Sequence, residues 1–363
     1  METQKHLYRL DALKFISAIM VVAIHASSYL YHTKTATVLN YEWYRYFLEF
    51  AVPFFFAASG LLLQNSSPKK IISFSIKVFS LYIAASILYT VFNISKIAGN
   101  RYFLDIAFWD SLRNLLSKWT VGAFIRGDFA QFHLWYLMAA TLAGLIIAFL
   151  RSKGFSTQKI FIMSTLLYIA HLSSFIDFNP IVAHGGFPRA LFYTSLGMLA
   201  GKFLQKNYRF YGIISISAIT AYAAPRILDS GNLIDIFLII SVFAAISWAG
   251  NSNAQPNFIS YMGKYALTIY ILHMAFITAI NQTILYAGYD LDYLRTHAYW
   301  VPAMITASVL LSILMHKPFE RLFLKPVTRI IDSLTPDPAT SDLPAVTSHQ
   351  LSLQQKHRLE QRS

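Results

Sequence analysis

Apolar side chains gather in ten runs along the chain, at about 10–30, 44–64, 71–93, 134–150, 158–176, 189–204, 210–226, 232–250, 265–286 and 299–316. An α-helix needs ~20 residues to cross a hydrocarbon core, and these runs approach that length. The pattern predicts an all-α membrane protein, a polytopic bundle of about ten transmembrane helices within residues 1–330. The first run does not read as a cleavable signal peptide. It is too long, it carries a histidine, and no small-residue cleavage site follows it cleanly.

Two segments break this pattern. Between 94 and 133, Phe108, Leu112, Leu115, Leu116 and Trp119 recur at helical spacing among Asp110, Arg113 and Lys118. That spacing predicts a short amphipathic helix, either lying on the outer membrane surface or packed across the mouth of the bundle. Residues 331–363 contain SLTPDPATSDLPAVTSHQ, rich in Ser, Thr, Pro and Asp and without periodic apolar positions. This composition predicts a disordered cytoplasmic tail.

Composition sharpens the class. Of 363 residues, 56% are hydrophobic and only 13% charged, with a mean hydropathy of +0.47. Soluble domains sit nearer 45–50% apolar and about 25% charged. The chain has no cysteine, which excludes disulfides, a thiol nucleophile and Cys-ligated metal. No metal-ligand spacing stands out. The net charge of +13 is not a nucleic-acid signature, because the basic residues fall in short clusters between the apolar runs. Lys5, Arg9 and Lys14 flank the first run, and Lys69, Lys70 and Lys77 follow the second. Arg151, Lys153 and Lys159 follow the fourth, Lys202, Lys206 and Arg209 the sixth, and Lys317, Arg321, Lys325 and Arg329 the last. The Lys/Arg excess of short cytoplasmic loops then places both termini in the cytoplasm. The expected location is a bacterial inner membrane.

The first run carries the candidate chemistry. His25 lies eleven residues beyond Lys14, which returns it to the same helix face about 16 Å further along. One face thus offers an ammonium near the membrane edge and an imidazole well inside the apolar zone. Asp11 is spaced to pair with Lys14, and Ser28 to hydrogen-bond His25. Lys14 alone also reads as a snorkelling lysine, and His25 as packing glue between helices. An ionisable group at membrane depth is costly and most often functional.

These residues resemble the acyltransferase-3 family. Its members are ten-helix membrane enzymes that place acetyl or related acyl groups on extracytoplasmic carbohydrates. Lys14-x10-His25 matches its Arg/Lys-x10-His mark on the first helix. AVPFFFAASGLLL (Ala51 to Leu63) is similar to its second helix, FHLWYL (Phe132 to Leu137) to its His-Leu-Trp-aromatic motif, and GKYALTIYILH (Gly263 to His273) to its late Tyr-x-x-His helix. The resemblance covers roughly residues 8–325. Two positions depart from it: Phe74 and Lys77 stand where the family often has Arg-x-x-Arg, and His316 where it often has an acid.

The resemblance implies a membrane O-acetyltransferase whose donor, acetyl-CoA or a related acyl-CoA, is a substrate rather than a permanently bound cofactor. Lys14, Lys77, Lys69 and Lys70 then hold the donor's phosphates. His25 serves as general base or as acyl carrier. His133, Trp135 and Tyr136 meet the acceptor, a polysaccharide or its lipid-linked precursor, and Tyr270 and His273 support the site. Polysaccharide-assembly proteins are candidate partners beside the bilayer. Trp135 and Tyr136 also read as interface anchors, and Tyr270 with His273 as an interhelical hydrogen bond. The competing function is a proton-coupled transporter with His25 as relay, although the repeated halves typical of such proteins are not visible.

Overall fold

The computed structural model describes residues 6–28, 41–172, 186–201, 211–212, 214–219, 235–250 and 254–334. The described residues contain helices and no strand. In chain order, the helices are α1 (Tyr8–Ala26), α2 (Tyr41–Leu48), α3 (Ala51–Leu63), α4 (Pro68–Leu104), α5 (Phe108–Ser117), α6 (Val121–Arg126), α7 (Trp135–Ser152) and α8 (Thr157–Leu172). They continue with α9 (Gly186–Ala200), α10 (Asp235–Ala249), α11 (Phe258–Met262), α12 (Ala266–Tyr286), α13 (Leu291–Arg295), α14 (Trp300–Leu314) and, after a single helical turn at His316–Phe319, α15 (Lys325–Leu334).

Among the described residues, four helical stretches are long and apolar enough to cross a membrane: Arg45–Leu63, Pro68–Leu104, Phe132–Ser152 and Phe258–Tyr286. A fifth is added if Trp300–Leu314 and His316–Arg329, bent by 52°, form one broken span. Most of the expected run at 210–226, the basic residues Lys5, Lys202, Lys206 and Arg209, and residues 335–363 of the expected tail lie outside the described residues. The last described helix, α15, runs to Leu334, four residues past the expected boundary at 330.

Helix α1 is the hub. It packs against α3, α10, α11, α12 and α14. Small side chains permit this: Ser17, Ala18, Ala23 and Ala26 are all buried on it. Leu10 and Val21 join the larger apolar core, while Ala18, Val22 and Ala26 join a second one with α12 and α14. The closest crossing is α3 on α9. A methyl group at Gly60 would overlap the Thr194 carbonyl, and one at Gly197 would overlap the Ala57 carbonyl. Small residues are the usual means of bringing helices together in lipid, where apolar burial alone gives no preference for protein over lipid.

Helix α4 departs from its sequence expectation. The apolar run ends near 93, yet the helix continues to Leu104, 37 residues in all. At 1.5 Å per residue this is about 56 Å, well beyond a hydrocarbon thickness. Ser67 caps its start, accepting from the Lys70 amide, with Pro68 in the first turn. Nothing between 94 and 104 breaks a helix, and the chain turns only at Asp105, which sits in the left-handed region at φ 53°. The projecting turns carry Lys96 and Asn100, and α5 folds back against them. The amphipathic helix expected around Phe108 is α5 itself. It turns Ser111, Asn114 and Leu115 toward a cavity and leaves Trp109 and Leu116 exposed.

Candidate functional site

His25 lies in the last turn of α1. Its ring stacks on that of His273 from α12, with centroids 5.1 Å apart and planes 21° from parallel. His133, from the 3-10 turn Phe132–Leu134 that precedes α7, completes the group. Its ring is 5.0 Å from His273 and 6.3 Å from His25. The cluster therefore joins three elements distant in sequence. His133 and His273 are 2% and 0% exposed, so neither reaches bulk solvent. Although three imidazoles gather here, no set of three such side chains among the described residues is arranged to hold a metal ion.

The backbone explains how each ring is aimed. Gly127 ends α6 at φ 84°, and a Cβ there would also collide with the Trp135 backbone. This glycine lets the chain double back so that His133 enters the bundle just before α7. Tyr270 donates from its hydroxyl to the His133 carbonyl at 2.5 Å, pinning that turn to α12. His273 Nδ1 lies 2.8 Å from the Tyr270 carbonyl and 3.1 Å from the Ile269 carbonyl. Carbonyls only accept, so Nδ1 carries the proton in the neutral ring. Nε2 is then a lone pair, and it is buried without a partner among the described residues. Neither nitrogen of His133 completes a hydrogen bond there either.

Two further side chains, absent from the sequence-derived site, belong to it. Phe132 meets the His25 ring edge-on at 5.0 Å. Tyr89, fully buried on α4, meets His133 edge-on at 5.1 Å. Its hydroxyl donates to the Ile271 carbonyl at 2.6 Å and accepts from the Ala275 amide at 3.1 Å, so it reaches both ends of one helical rung beside His273. A tyrosine hydroxyl deep in an apolar run must find a partner, and that was the available sequence signal. Tyr89→Phe leaves these groups short of a partner, which is worth about 1–3 kcal/mol. The expected result is a lower thermal midpoint for the purified protein, with α12 losing amide-exchange protection around Ile271 to Ala275.

The remaining expected residues divide. Asp11 pairs with Lys14 at 3.0 Å and with His6 at 2.7 Å. Gly263 makes room for the Asp11 backbone at the foot of α1, which places Lys264 in the segment packed there. Ser28 donates to the His25 main-chain carbonyl at 2.9 Å rather than to the ring, because three residues on a helix bring its hydroxyl to that carbonyl first. Lys69 and Lys70 are exposed at the start of α4, and Lys77 is partly buried two turns later. Trp135 is not an open stacking face: it is 8% exposed and packs on Phe56. Tyr136 packs between Phe56 and Tyr270. The aromatic side chain open beside the cluster is Phe132, at 41% exposure. His316, where an acid is often found, has its Nδ1 2.8 Å from the Thr268 hydroxyl.

Beyond Phe132 lies a cavity of about 440 Å³, lined with polar side chains from α4, α5 and the segment 128–132. The arrangement is a histidine cluster joined through Phe132 to a polar cavity, with a lysine on the helix of His25 about 16 Å away.

Comparison with known proteins agrees with this reading at the level of family. A family model described as an acyltransferase domain matches residues 7–317. An amino-acid racemase of Enterococcus faecalis is 32% identical over 166 residues, which cover 45% of this chain and 21% of the racemase. The chain thus spans about a fifth of that relative's length, and the match speaks only for the shared segment. No solved structure matches. The family model takes in α1 with its Lys14 and His25, the 3-10 turn with His133, and α12 with His273, and on that match the chain belongs to the acyltransferase-3 family.

Proposed function

We propose that the protein transfers an acyl group, acetyl in the simplest case, from cytoplasmic acyl-CoA to a hydroxyl of an extracytoplasmic glycan or its lipid-linked precursor. The observation that carries this reading is the position of His25. It lies within the buried histidine cluster, beside the Phe132 wall of a polar cavity, and one helix face above Lys14.

In this reading the donor's phosphates sit near Lys14, with Lys69, Lys70 and Lys77 as further cations, and the thin pantetheine arm enters the bundle. The acceptor comes from the cavity side. Its hydroxyl gives its proton to the neutral His25 imidazole as the oxygen bonds to the acyl carbon. The carbon–sulfur bond breaks, and the departing thiolate takes the proton back from His25. An acyl-imidazole on His25 is the two-step variant. The stacked His273 ring packs against His25, while Tyr89 and Tyr270 hold the other two elements in place. The buried histidines also suit the proton relay of a transporter, but membership in an acyltransferase family favours transfer.

The orientation belongs to the same proposal: ten spans, both termini cytoplasmic, in a bacterial inner membrane, with the cavity outside. Radiolabelled acetyl-CoA offered to sealed vesicles tests function and orientation together. Inverted vesicles, with the Lys14 end outward, are expected to move label into glycan, and right-side-out vesicles are not. Label transferred only in right-side-out vesicles would reverse the topology, and no label in either would remove acetyl transfer from CoA.

A further inference from the structure

The cavity beyond Phe132 has a chemical character of its own. Lys96 projects from the extended part of α4, and Lys118 stands just past the end of α5. Among the described residues no ion pair engages either lysine. The one acidic side chain in the lining is Asp128, and its Oδ2 already meets Arg126 Nε at 3.0 Å. The cavity is therefore left with two uncompensated cations. Like charges facing one space repel unless an anion lies between them.

The same lining also suits hydroxyl groups. Asp128 Oδ1 is buried without a hydrogen-bond partner among the described residues, an acceptor in place for a donor. Asn100 uses its carbonyl oxygen on the Tyr286 hydroxyl at 2.8 Å, which leaves its amide group as a donor. Asn93 holds the floor of the cavity by donating to the Ala130 carbonyl at 3.0 Å. Phe132, also in the lining, is an exposed aromatic side chain whose ring meets that of His25 at 5.0 Å between centroids.

We propose that this cavity is the acceptor site and that it selects an anionic sugar, one bearing a carboxylate or a phosphate. Its charged group lies between Lys96 and Lys118, and a hydroxyl donates to Asp128 Oδ1. The sugar's apolar face rests on Phe132, which turns a further hydroxyl toward His25. The identity of the cavity as an acceptor site rests on the proposed acyl transfer; its preference for anions rests on the lysines alone.

Binding to the purified full chain in detergent tests the preference without any transfer step. The probes are an oligosaccharide of uronic acids, a phosphorylated oligosaccharide and a neutral oligosaccharide of the same length. Wild type is expected to bind at least one anionic probe about tenfold or more tighter than the neutral one, since a charge-assisted hydrogen bond is worth more than ~1.4 kcal/mol. Whichever anionic probe binds tighter identifies carboxylate or phosphate. Lys96→Gln with Lys118→Gln should erase the preference while neutral binding changes far less. If the pair fails to fold, Lys118→Gln alone should reduce the preference, because its side chain is exposed. The binding readout contains no transfer step, so a failure of acyl transfer leaves this result standing. Equal binding of all three probes by wild type, or a preference unchanged in the lysine variants, overturns the proposal.

Discussion

His25→Ala is expected to lose acyl transfer by ~10²–10⁴-fold or more, the usual worth of general acid–base help, while the protein inserts at normal levels. The ring packs against Phe132 and His273, so alanine removes some contact area at the end of α1. The rest of that helix is held by Val21, Val22 and Ala26, which are 2%, 0% and 4% exposed. His25→Gln separates the two roles. Glutamine keeps a polar group of similar reach but cannot take a proton at neutral pH. A packing histidine would be rescued by it, and a base or acyl carrier would not. The deciding measurement is glycan acylation per molecule of inserted protein for wild type and both variants. Near-normal acylation by His25→Gln would make the residue structural and send the search for the base to His133 and His273.

The second large effect concerns the fold and does not depend on the function. Gly60→Val and Gly197→Val are each expected to remove most of the folded protein. At both positions the first side-chain carbon would run into backbone, the Thr194 carbonyl in one case and the Ala57 carbonyl in the other. Backbone cannot rotate aside as a side chain does, so α3 and α9 must separate. Overpacking costs about 1–3 kcal/mol even where neighbours adjust. Here it also opens the seam where Ala57 and Gly60 on α3 meet Thr194, Gly197 and Met198 on α9. Gly154→Ala is the control. Its φ is +80° and nothing lies within 4 Å, so only backbone strain of about 1 kcal/mol or somewhat more is expected. Detergent-solubilised yield by size-exclusion chromatography reads the difference. A monodisperse Gly197→Val at wild-type yield would mean that the α3–α9 contact is looser than it stands.

How the sequence relates to the structure is clearest at particular residues. Lys14 and His25 lie on one helix face by arithmetic alone, because the 3.6-residue period holds for any regular helix. The pairing of Asp11 with Lys14, at 3.0 Å, follows from the same local geometry. The amphipathic α5 was legible because its periodic apolar positions are a local signal. Each of these features depends on neighbours within about one to three turns.

Features made by distant residues were not legible. The stacking of His25 on His273 joins positions 248 residues apart, and nothing in either motif specifies which ring faces which. Trp135 read as an acceptor contact or an interface anchor; it is 8% exposed and packs on Phe56, and Phe132 is the aromatic that lines the cavity with Phe129. Helix α4 outran its apolar stretch because hydropathy marks where lipid ends, not where backbone hydrogen bonding ends. The sequence by itself determined the class, the family and the helix face carrying Lys14 and His25, since these rest on composition, motif and period. Only the tertiary structure decided that His133 and His273 join His25, that Tyr89 bridges the rung beside His273, and that two lysines share a cavity beyond Phe132. Those are products of how helices cross, and crossings are set by small residues such as Gly60, Gly197 and Gly263, whose partners lie far along the chain.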